Sequence, residues 1–164
     1  MKLIYSTIAL CFLSIALMGQ NYTRDAGIRF GTGLTASYRQ FYKEDMAVEA
    51  FFGYQDLGIK FGGMREFFKP AFTQYSGNFR LYYGYGVHAG VSYTNSYKMF
   101  NREYRYDWRF SPLFGMDGIV GIEYDFPEVP IIVSTDIKPY YEFSLNRMFY
   151  VQVFDVSFSV KYRF

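Results

Sequence analysis

The last eleven residues of the chain alternate strictly between two kinds of side chain. The apolar or aromatic ones are Phe154, Val156, Phe158, Val160, Tyr162 and Phe164, and the polar ones between them are Asp155, Ser157, Ser159, Lys161 and Arg163. Because successive side chains of a β-strand point to opposite faces, this pattern predicts a strand with one apolar and one polar face. A membrane-crossing strand needs about 9–11 residues, against about 5–6 for an ordinary strand. The segment is therefore long enough to cross a membrane.

The same alternation recurs along the chain, most regularly between residues 79 and 93. It predicts eight strands, at 27–39, 46–55, 59–69, 79–93, 104–110, 114–126, 131–143 and 154–164. The pattern blurs at Gly63-Met64, which predicts a bulge. The segment from Lys98 to Phe110 has two interpretations, a strand over its last residues or a long loop. The fold class predicted is all-β, an eight-stranded antiparallel transmembrane β-barrel.

The connections between these segments differ in character. Four polar loops are predicted at one end of the barrel, at 40–45, at 70–78, near Ser111-Pro112 and at 144–148. Tight turns near Asp56, Asn95 and Pro127 are predicted at the other end, together with both termini. An even strand count with loops at one end and short turns at the other is typical of bacterial membrane barrels.

The N-terminal stretch has the form of a secretory signal peptide. Lys2 supplies the positive start, an apolar core runs from Leu3 to Met18, and the small Gly19 precedes Gln20. We predict a signal peptide at 1–19 and a barrel domain at 20–164; a retained membrane anchor is the alternative. The only cysteine, Cys11, lies in the predicted signal peptide, so the mature chain would have no disulfide.

Composition limits the remaining classes. The 164 residues suggest one domain, and aromatic residues make up 23% of the chain, yet mean hydropathy is only −0.06. No stretch after the N-terminus approaches the 18 or more apolar residues of a membrane helix. A chain of this kind that crosses a membrane does so as a closed barrel, which pairs every backbone polar group. The net charge of +2 gives no argument for nucleic acid.

Alternation alone leaves open which face meets water. A soluble lipocalin-like barrel has the same period with apolar side chains inside, and it would bind a ligand there. Here Phe, Tyr, Ile and Val follow whole strands on one face, and the other face is rich in Gly and Ser. Aromatic residues near the strand ends would form the interfacial girdles of a membrane barrel. We therefore predict that the apolar face points outward into lipid.

Three segments and the signal peptide resemble the small bacterial outer-membrane β-barrel domain family, of the OmpX-like and OmpA-like kind. The segments are YYGYGVHAG at 82–90, DGIVGIEYDFPEVPIIVSTDIKP at 117–139 and the ending VKYRF. The resemblance implies the outer membrane of a Gram-negative bacterium, contact with its lipids, and insertion by the barrel-assembly machinery, which reads a terminal Phe such as Phe164. It implies location and fold more than activity, because members of the family have diverse roles.

The predicted interior face carries acids and bases in nearly equal number. They are Arg29, Glu49, Lys60, Arg80, Glu103, Arg105, Asp107, Arg109, Asp117, Glu123, Asp125, Asp136, Lys138, Asp155, Lys161 and Arg163. Buried charges must be paired, so we predict ion pairs that fill the interior. An open pore is an alternative, as is a metal site at Asp117, Glu123 and Asp125.

Catalysis would depend on the single histidine, His88. Barrel enzymes that modify lipid A, esterases and acyltransferases, use a histidine to activate a serine. Ser92 lies on the same face but roughly 13 Å away at about 3.3 Å per residue, so we predict that His88 bonds a neighbouring carboxylate instead. We predict no catalytic, cofactor-binding or metal-binding residues and no cofactor. The predicted role is structural or interaction-based, with a possible protein partner at loop residues such as Tyr42, Lys43 and Tyr75.

Overall fold

The computed structural model describes residues 23–55, 58–75, 77–99, 102–144, 150–152 and 155–164. The predicted signal peptide, 1–19, lies outside these ranges. The strands are β1 Arg24–Phe30, β2 Gly33–Lys43, β3 Met46–Gln55, β4 Gly58–Ala71, β5 Phe79–Met99, β6 Arg102–Asp125, β7 Ile131–Ile137, β8 Tyr140–Ser144, β9 Tyr150–Gln152 and β10 Val156–Arg163.

These strands form one closed antiparallel sheet. Each of β1 to β6 pairs with the next strand in the chain. Strands β7 and β8 both pair with β6 and are separated only at Lys138 and Pro139, because proline has no N–H to donate to the ladder. β9 pairs with β8, and β10 pairs with both β7 and β1, which closes the ring. β7 with β8, and β9 with β10, each occupy one strand position in the ring, so the fold is an eight-stranded antiparallel barrel, as predicted.

The first predicted strand, 27–39, is wrong: it is a hairpin of β1 and β2. The chain turns at Gly31 and Thr32, and Phe30 pairs with Leu34 across the turn. A turn of this length places the residues at its two ends on the same face, so the alternation of apolar residues continues through it without a break. The two-residue alternation therefore did not predict the turn.

This extra hairpin changes which end of the barrel carries each connection. The β2–β3 turn and the loop at 72–78 lie at the end with the described termini, not opposite them as predicted for 40–45 and 70–78. The turn near Pro127 does lie with the termini, as predicted. β3 ends at Gln55, β4 begins at Gly58 and β8 ends at Ser144, all at the opposite end. The turn predicted near Asp56 and most of the loop predicted at 144–148 lie outside the described residues.

The hairpin of β5 and β6 is longer than the alternation predicted. Thr94-Asn95-Ser96 is not a turn but part of β5, where the register with β6 shifts. Ser111 and Pro112 are not a loop but part of β6, and they join the two segments predicted at 104–110 and 114–126 into one strand. The strand interpretation of 104–110 is therefore confirmed. Pro112 is tolerated because it lies one residue beyond Leu113, the last β6 residue that pairs with β8.

The bulge predicted at Gly63-Met64 is wrong as well. β4 keeps one register with β3 and with β5 through both residues. The pattern blurs because Met64 is buried inside the barrel while Arg65 is exposed outside, the reverse of the usual distribution here.

Elsewhere the two faces follow the prediction. Large apolar side chains point outward and are exposed, with Phe52 at 59%, Val87 at 60% and Met116 at 67%. The interior holds charged and small residues around one apolar cluster of Ala47, Phe51, Met64, Phe68, Tyr82 and Ile119. Phe51 therefore points inward, among the polar residues of its strand, because it belongs to that cluster. In the described residues no helix is long and apolar enough to cross a membrane.

Candidate functional site: the charged barrel interior

The interior contains a hub of ion pairs around Arg39, near the end with the termini. The Arg39 guanidinium is completely buried and contacts Asp25 at 2.8 Å, Glu66 at 3.2 Å and Glu123 at 2.9 Å. These three carboxylates come from β1, β4 and β6, so one cation joins three walls of the barrel. We call Arg39 and its three carboxylates the Arg39 hub.

Two aromatic rings and a second arginine complete this region. The Arg39 Cζ atom lies 4.9–5.0 Å from the centres of the Phe41 and Phe68 rings. The Arg80 Cζ atom lies 5.3 Å from the centres of the same two rings. Arg80 also contacts Glu123 at 2.6 Å, so that carboxylate has two cationic partners. Closer to the end with the termini, Arg163 pairs with Asp125 at the mouth of the barrel. Cation–π contacts of this kind strengthen when they are shielded from water.

The middle of the interior carries two further pairs. Arg29 on β1 binds Asp136 on β7, and its Nε donates to the Ser157 hydroxyl at 2.6 Å. The Tyr82 hydroxyl donates to the second oxygen of Asp136 at 2.8 Å. Lys161 donates to Glu49 at 2.6 Å. Each contact joins strands that are distant in sequence.

A chain of ion pairs around His88 lies toward the opposite end. His88 Nδ1 is 2.8 Å from Asp117, and Nε2 is 3.4 Å from Glu142. Lys138 lies 3.3 Å from the other Asp117 oxygen, and Lys60 lies 2.7 Å from Glu142. The His88 ring meets Tyr140 edge-on at 5.9 Å. We call these five charged or titratable residues the His88 chain. It confirms that His88 bonds a neighbouring carboxylate.

Glycines make room for the rings that point inward. A Cβ on Gly115 would lie 2.5 Å from Cε1 of His88, and one on Gly121 would lie 2.6 Å from Cζ of Tyr82. A Cβ on Gly62 would likewise lie 2.5 Å from Cζ of Phe51. Contacts this short do not occur between real Cβ atoms and their neighbours, so each ring occupies space that only glycine leaves on the facing strand.

Most of the predicted interior charges are inside the barrel. Nine are buried: Arg29, Glu49, Lys60, Asp117, Glu123, Asp136, Lys138, Asp155 and Lys161. Arg80, Asp125 and Arg163 are half-buried at the mouth. The side chains of Glu103, Arg105, Asp107 and Arg109 lie outside the described part of the structure. The predicted loop contacts Tyr42, Lys43 and Tyr75 are exposed at the end with the termini.

Sequence reasoning missed several members of the clusters. Asp25 precedes the first predicted strand, and Glu66 lies beyond the predicted bulge. Arg39 and Glu142 were on predicted polar faces but were not counted among the interior charges. All four are an even number of residues along the chain from Arg29, Lys60 or Asp136, and this parity would have identified them as inward-facing.

The geometry around His88 does not assemble a nucleophile. Both imidazole nitrogens face carboxylates, and among the described residues no serine hydroxyl contacts the ring. The Ser92 hydroxyl instead lies 3.5 Å from the Ser111 carbonyl.

The three carboxylates of the alternative metal site are each paired with cations. Asp117 binds Lys138 in the His88 chain, whereas Glu123 and Asp125 both lie within 4.0 Å of Arg80 Nη2 near the mouth. The described residues contain no cluster of three or more potential metal ligands.

The fold defines a class, the small closed β-barrel domain with charges inside and apolar residues outside. No known protein family and no curated protein matches the sequence. Among solved structures, the crystal structure of the N-terminal β-barrel domain of Pseudomonas aeruginosa OprF is similar, with a TM-score of 0.54 and 13% identity over 88% of this chain and 100% of that chain. This likeness confirms, at the level of the fold, the resemblance to OmpA-like barrel domains.

Proposed function

We propose that this protein is an integral outer-membrane β-barrel with a structural or interaction role and a closed interior. The observation that carries the proposal is the inverted distribution of burial. Arg39, Glu66 and Glu123 are at most 1% exposed, while large apolar side chains cover the outside. Apolar patches of this extent on a monomer in water would be unusual, but in lipid they are the expected surface. The fold shared with the OprF barrel domain supports the same location.

Strand length supports a membrane as well. β2, β3 and β4 contain 11, 10 and 14 residues, and a tilted strand needs about 9–11 to cross the hydrocarbon. The alternative of a soluble ligand-binding barrel requires an apolar interior. The interior of this barrel holds instead the Arg39 hub and the His88 chain, and its apolar cluster is packed between them.

Ion pairs that cross the interior support the proposal that it is closed. Arg39 of β2 binds Glu123 of β6 on the opposite wall, and Lys161 of β10 binds Glu49 of β3, so these side chains meet within the barrel. An eight-stranded barrel is about wide enough for its side chains to fill. We expect planar bilayers containing the protein to show no steady single-channel conductance; stable open channels of uniform size would contradict this part of the proposal.

The interaction role is assigned to the β5–β6 hairpin. β4 begins at Gly58, which pairs with Ser92, so the strands beyond Tyr93 and Phe110 extend roughly 20 Å further at about 3.3 Å per residue. In the described part of the chain, this extension pairs with no other strand. Its two outer edges are therefore available to a partner, because an unpaired strand edge presents N–H and C=O groups for pairing.

The first test is gel mobility of the membrane-extracted protein, boiled against unboiled. A folded barrel that resists detergent migrates differently until it is heated, so we expect a heat shift for the wild type. A protein recovered from the soluble periplasmic fraction, with no heat shift, would overturn the proposal in favour of the soluble barrel.

A second test addresses assembly through Phe164. Its ring packs on Tyr38 at 6.2 Å, and its N–H donates to the Arg24 carbonyl at 3.0 Å. We expect Phe164→Ala to refold in detergent like the wild type but to assemble poorly in cells, because recognition by the barrel-assembly machinery is lost. Phe30→Ala, a similar truncation on the outward face of β1, is the control and should assemble normally. Equal assembly of the two variants would contradict recognition of Phe164 by the barrel-assembly machinery.

Orientation is tested by cysteine labelling. Cys11 is the only cysteine of the sequence, so a Cys11→Ser chain gives a silent background. We expect Lys98→Cys, in the hairpin, to react with a membrane-impermeant maleimide on intact cells, and Glu128→Cys, at the opposite end, to react only after permeabilisation. The reverse pattern would place the hairpin in the periplasm and remove its role at the cell surface.

A further inference from the structure

The outward face of the barrel carries few charges among the side chains that the structure describes, and all of them are cations. Among the described side chains that point outward from strands, the charged ones are Arg24, Arg65 and Lys69. Arg24 is the first residue of β1, and Lys69 lies two residues from the end of β4. Arg65 alone lies well within a strand, with Val48 of β3 and Tyr85 of β5 as its neighbours. It is thus a charge on a surface otherwise suited to lipid.

Aromatic side chains surround the Arg65 guanidinium. Its Nε donates to the Tyr42 hydroxyl at 2.9 Å, and its Cζ lies 5.2 Å from the centre of the Phe67 ring. The guanidinium also interacts with the Tyr85 hydroxyl, and its Nη2 lies 3.9 Å from the Met46 sulfur. Within the described residues, no carboxylate lies at ion-pair distance from Arg65. The guanidinium is therefore oriented by a neutral hydroxyl and keeps its charge uncompensated.

A second cation lies against the same aromatic pair. The Phe67 ring stacks on Tyr83 at 5.4 Å, and Lys69 Nζ lies 5.9 Å from the centre of the Tyr83 ring. Arg65 and Lys69 therefore flank one stacked pair from its two sides on the outward face of β4. Since no acid among the described outward-pointing side chains neutralises them, both cations favour an anion.

An apolar groove lies beside the arginine. It has a volume of about 340 Å³ and is lined by Tyr38, Gln40, Tyr42, Val48 and Ala50. Tyr42 belongs both to the groove and to the contact with Arg65. The geometry thus places a cation next to an outward apolar surface large enough for part of a hydrocarbon chain.

We propose that Arg65 binds the phosphate of an anionic glycerophospholipid, with Lys69 adding positive charge on the same face and an acyl chain in the neighbouring groove. The inference rests on the membrane location proposed above. A guanidinium forms paired hydrogen bonds with phosphate oxygens, and its stem lies along apolar surface while its charge reaches the headgroups. An arginine on the lipid face is costly at the bilayer centre and tolerated near the interface. Arg65 pairs with Val48, two residues from the start of β3, so it lies near the end of the barrel that carries the β2–β3 turn. Tyr42 is a positioning residue, because it fixes the plane of the guanidinium.

The test compares phosphatidylglycerol with phosphatidylcholine, which has a phosphate but no net charge. The purified full-length barrel is equilibrated with mixed micelles of the two lipids, and the lipids it retains are measured by native mass spectrometry. We expect the wild type to retain phosphatidylglycerol preferentially and Arg65→Gln to lose most of that preference. Arg65→Lys should keep part of it, and Tyr42→Phe should weaken it several-fold without abolishing it.

Arg24→Gln is the matched control, because it removes the same charge from another outward position. Its preference should equal that of the wild type. Equal loss in Arg24→Gln and Arg65→Gln would mean that net charge alone attracts the lipid and would overturn the site, as would an unchanged preference in Arg65→Gln.

Heat-modifiable migration in phosphatidylcholine vesicles separates the two proposals. Its absence from the wild type would mean that the membrane location itself has failed. Its presence in every variant, with no lipid preference in any, would overturn the lipid site alone.

Discussion

The two charged regions of the interior are built on different plans. The Arg39 hub has one central cation, and two of its carboxylates, Asp25 and Glu66, have no other cation at ion-pair distance among the described residues. The His88 chain is linear, and each carboxylate has a lysine as well as the histidine: Asp117 has Lys138, and Glu142 has Lys60.

The difference teaches where the barrel depends on a single residue. Removal of the centre of a hub leaves several buried charges without a partner, and each unpaired buried charge is costly. Removal of the middle of a chain leaves each acid with its own cation. We therefore expect the end with the termini to be sensitive to one substitution and the opposite end to tolerate the corresponding one.

The largest effect is expected for Arg39→Met. The change keeps a long apolar stem but leaves Asp25 and Glu66 buried with no cation at ion-pair distance among the described residues, and should lower the free energy of unfolding by about 3–5 kcal/mol. The fraction of heat-shifted protein against urea measures it. Arg24→Gln, an arginine lost from an exposed position, should change little. If Arg39→Met lowered the free energy of unfolding no more than the control does, the Arg39 hub would not be a source of stability.

Gly115→Ala should have the next largest effect. The added Cβ would meet the Tyr141 carbonyl oxygen and the His88 ring, so the strand or the ring must move, at a cost of about 1–3 kcal/mol. The same urea titration in a His88→Ala background shows how much of the cost comes from the ring. Identical costs in the two backgrounds would assign the whole effect to the backbone contact.

His88→Asn sharpens the comparison directly, because it removes the centre of the chain. Each carboxylate keeps a lysine, so the expected loss is about 1 kcal/mol, the range of hydrogen bonds exchanged for poorer ones. The comparison between the two regions fails if His88→Asn destabilises the barrel as much as Arg39→Met does.

The smallest effect is expected beyond the chain, at Ser111→Ala. The Ser111 hydroxyl lies 2.7 Å from that of Ser144, and both are buried. Loss of one neutral hydrogen bond should cost about 0.5–1 kcal/mol. Urea midpoints of Ser111→Ala, Ser144→Ala and the double variant give the coupling energy, and strictly additive costs would show that the two hydroxyls do not interact.

The strand period predicted the fold class and the two faces because both depend on local alternation. It placed His88, Asp117 and Lys138 inside, and the structure brings these three together. The period could not show the turn at Gly31 and Thr32, because that turn preserves it. One missed turn was enough to reverse the end assigned to several later connections.

The partners within the interior could not be predicted in the same way. Arg39 contacts acids from three strands. The stagger between neighbouring strands, and not a local sequence pattern, decides which acids lie at the same height in the barrel as Arg39. Lys98 to Phe110 was ambiguous for a related reason: an exposed hairpin and a long loop can carry the same aromatic and charged residues, and only the cross-strand register distinguishes them.

The seam between β1 and β10 has a kinetic consequence. Arg29 and Ser157, which hydrogen-bond across it, are 128 positions apart in the sequence. Closing so large a loop costs conformational entropy before the contacts across the seam can stabilise the barrel. Until closure, β1 and β10 both present open edges of the kind that pair indiscriminately with other chains. Folding should therefore be slow, and aggregation should compete with it until the last strand is in place. Substitutions at the seam are expected to alter the yield of folded barrel more than the lifetime of the barrel once it has closed.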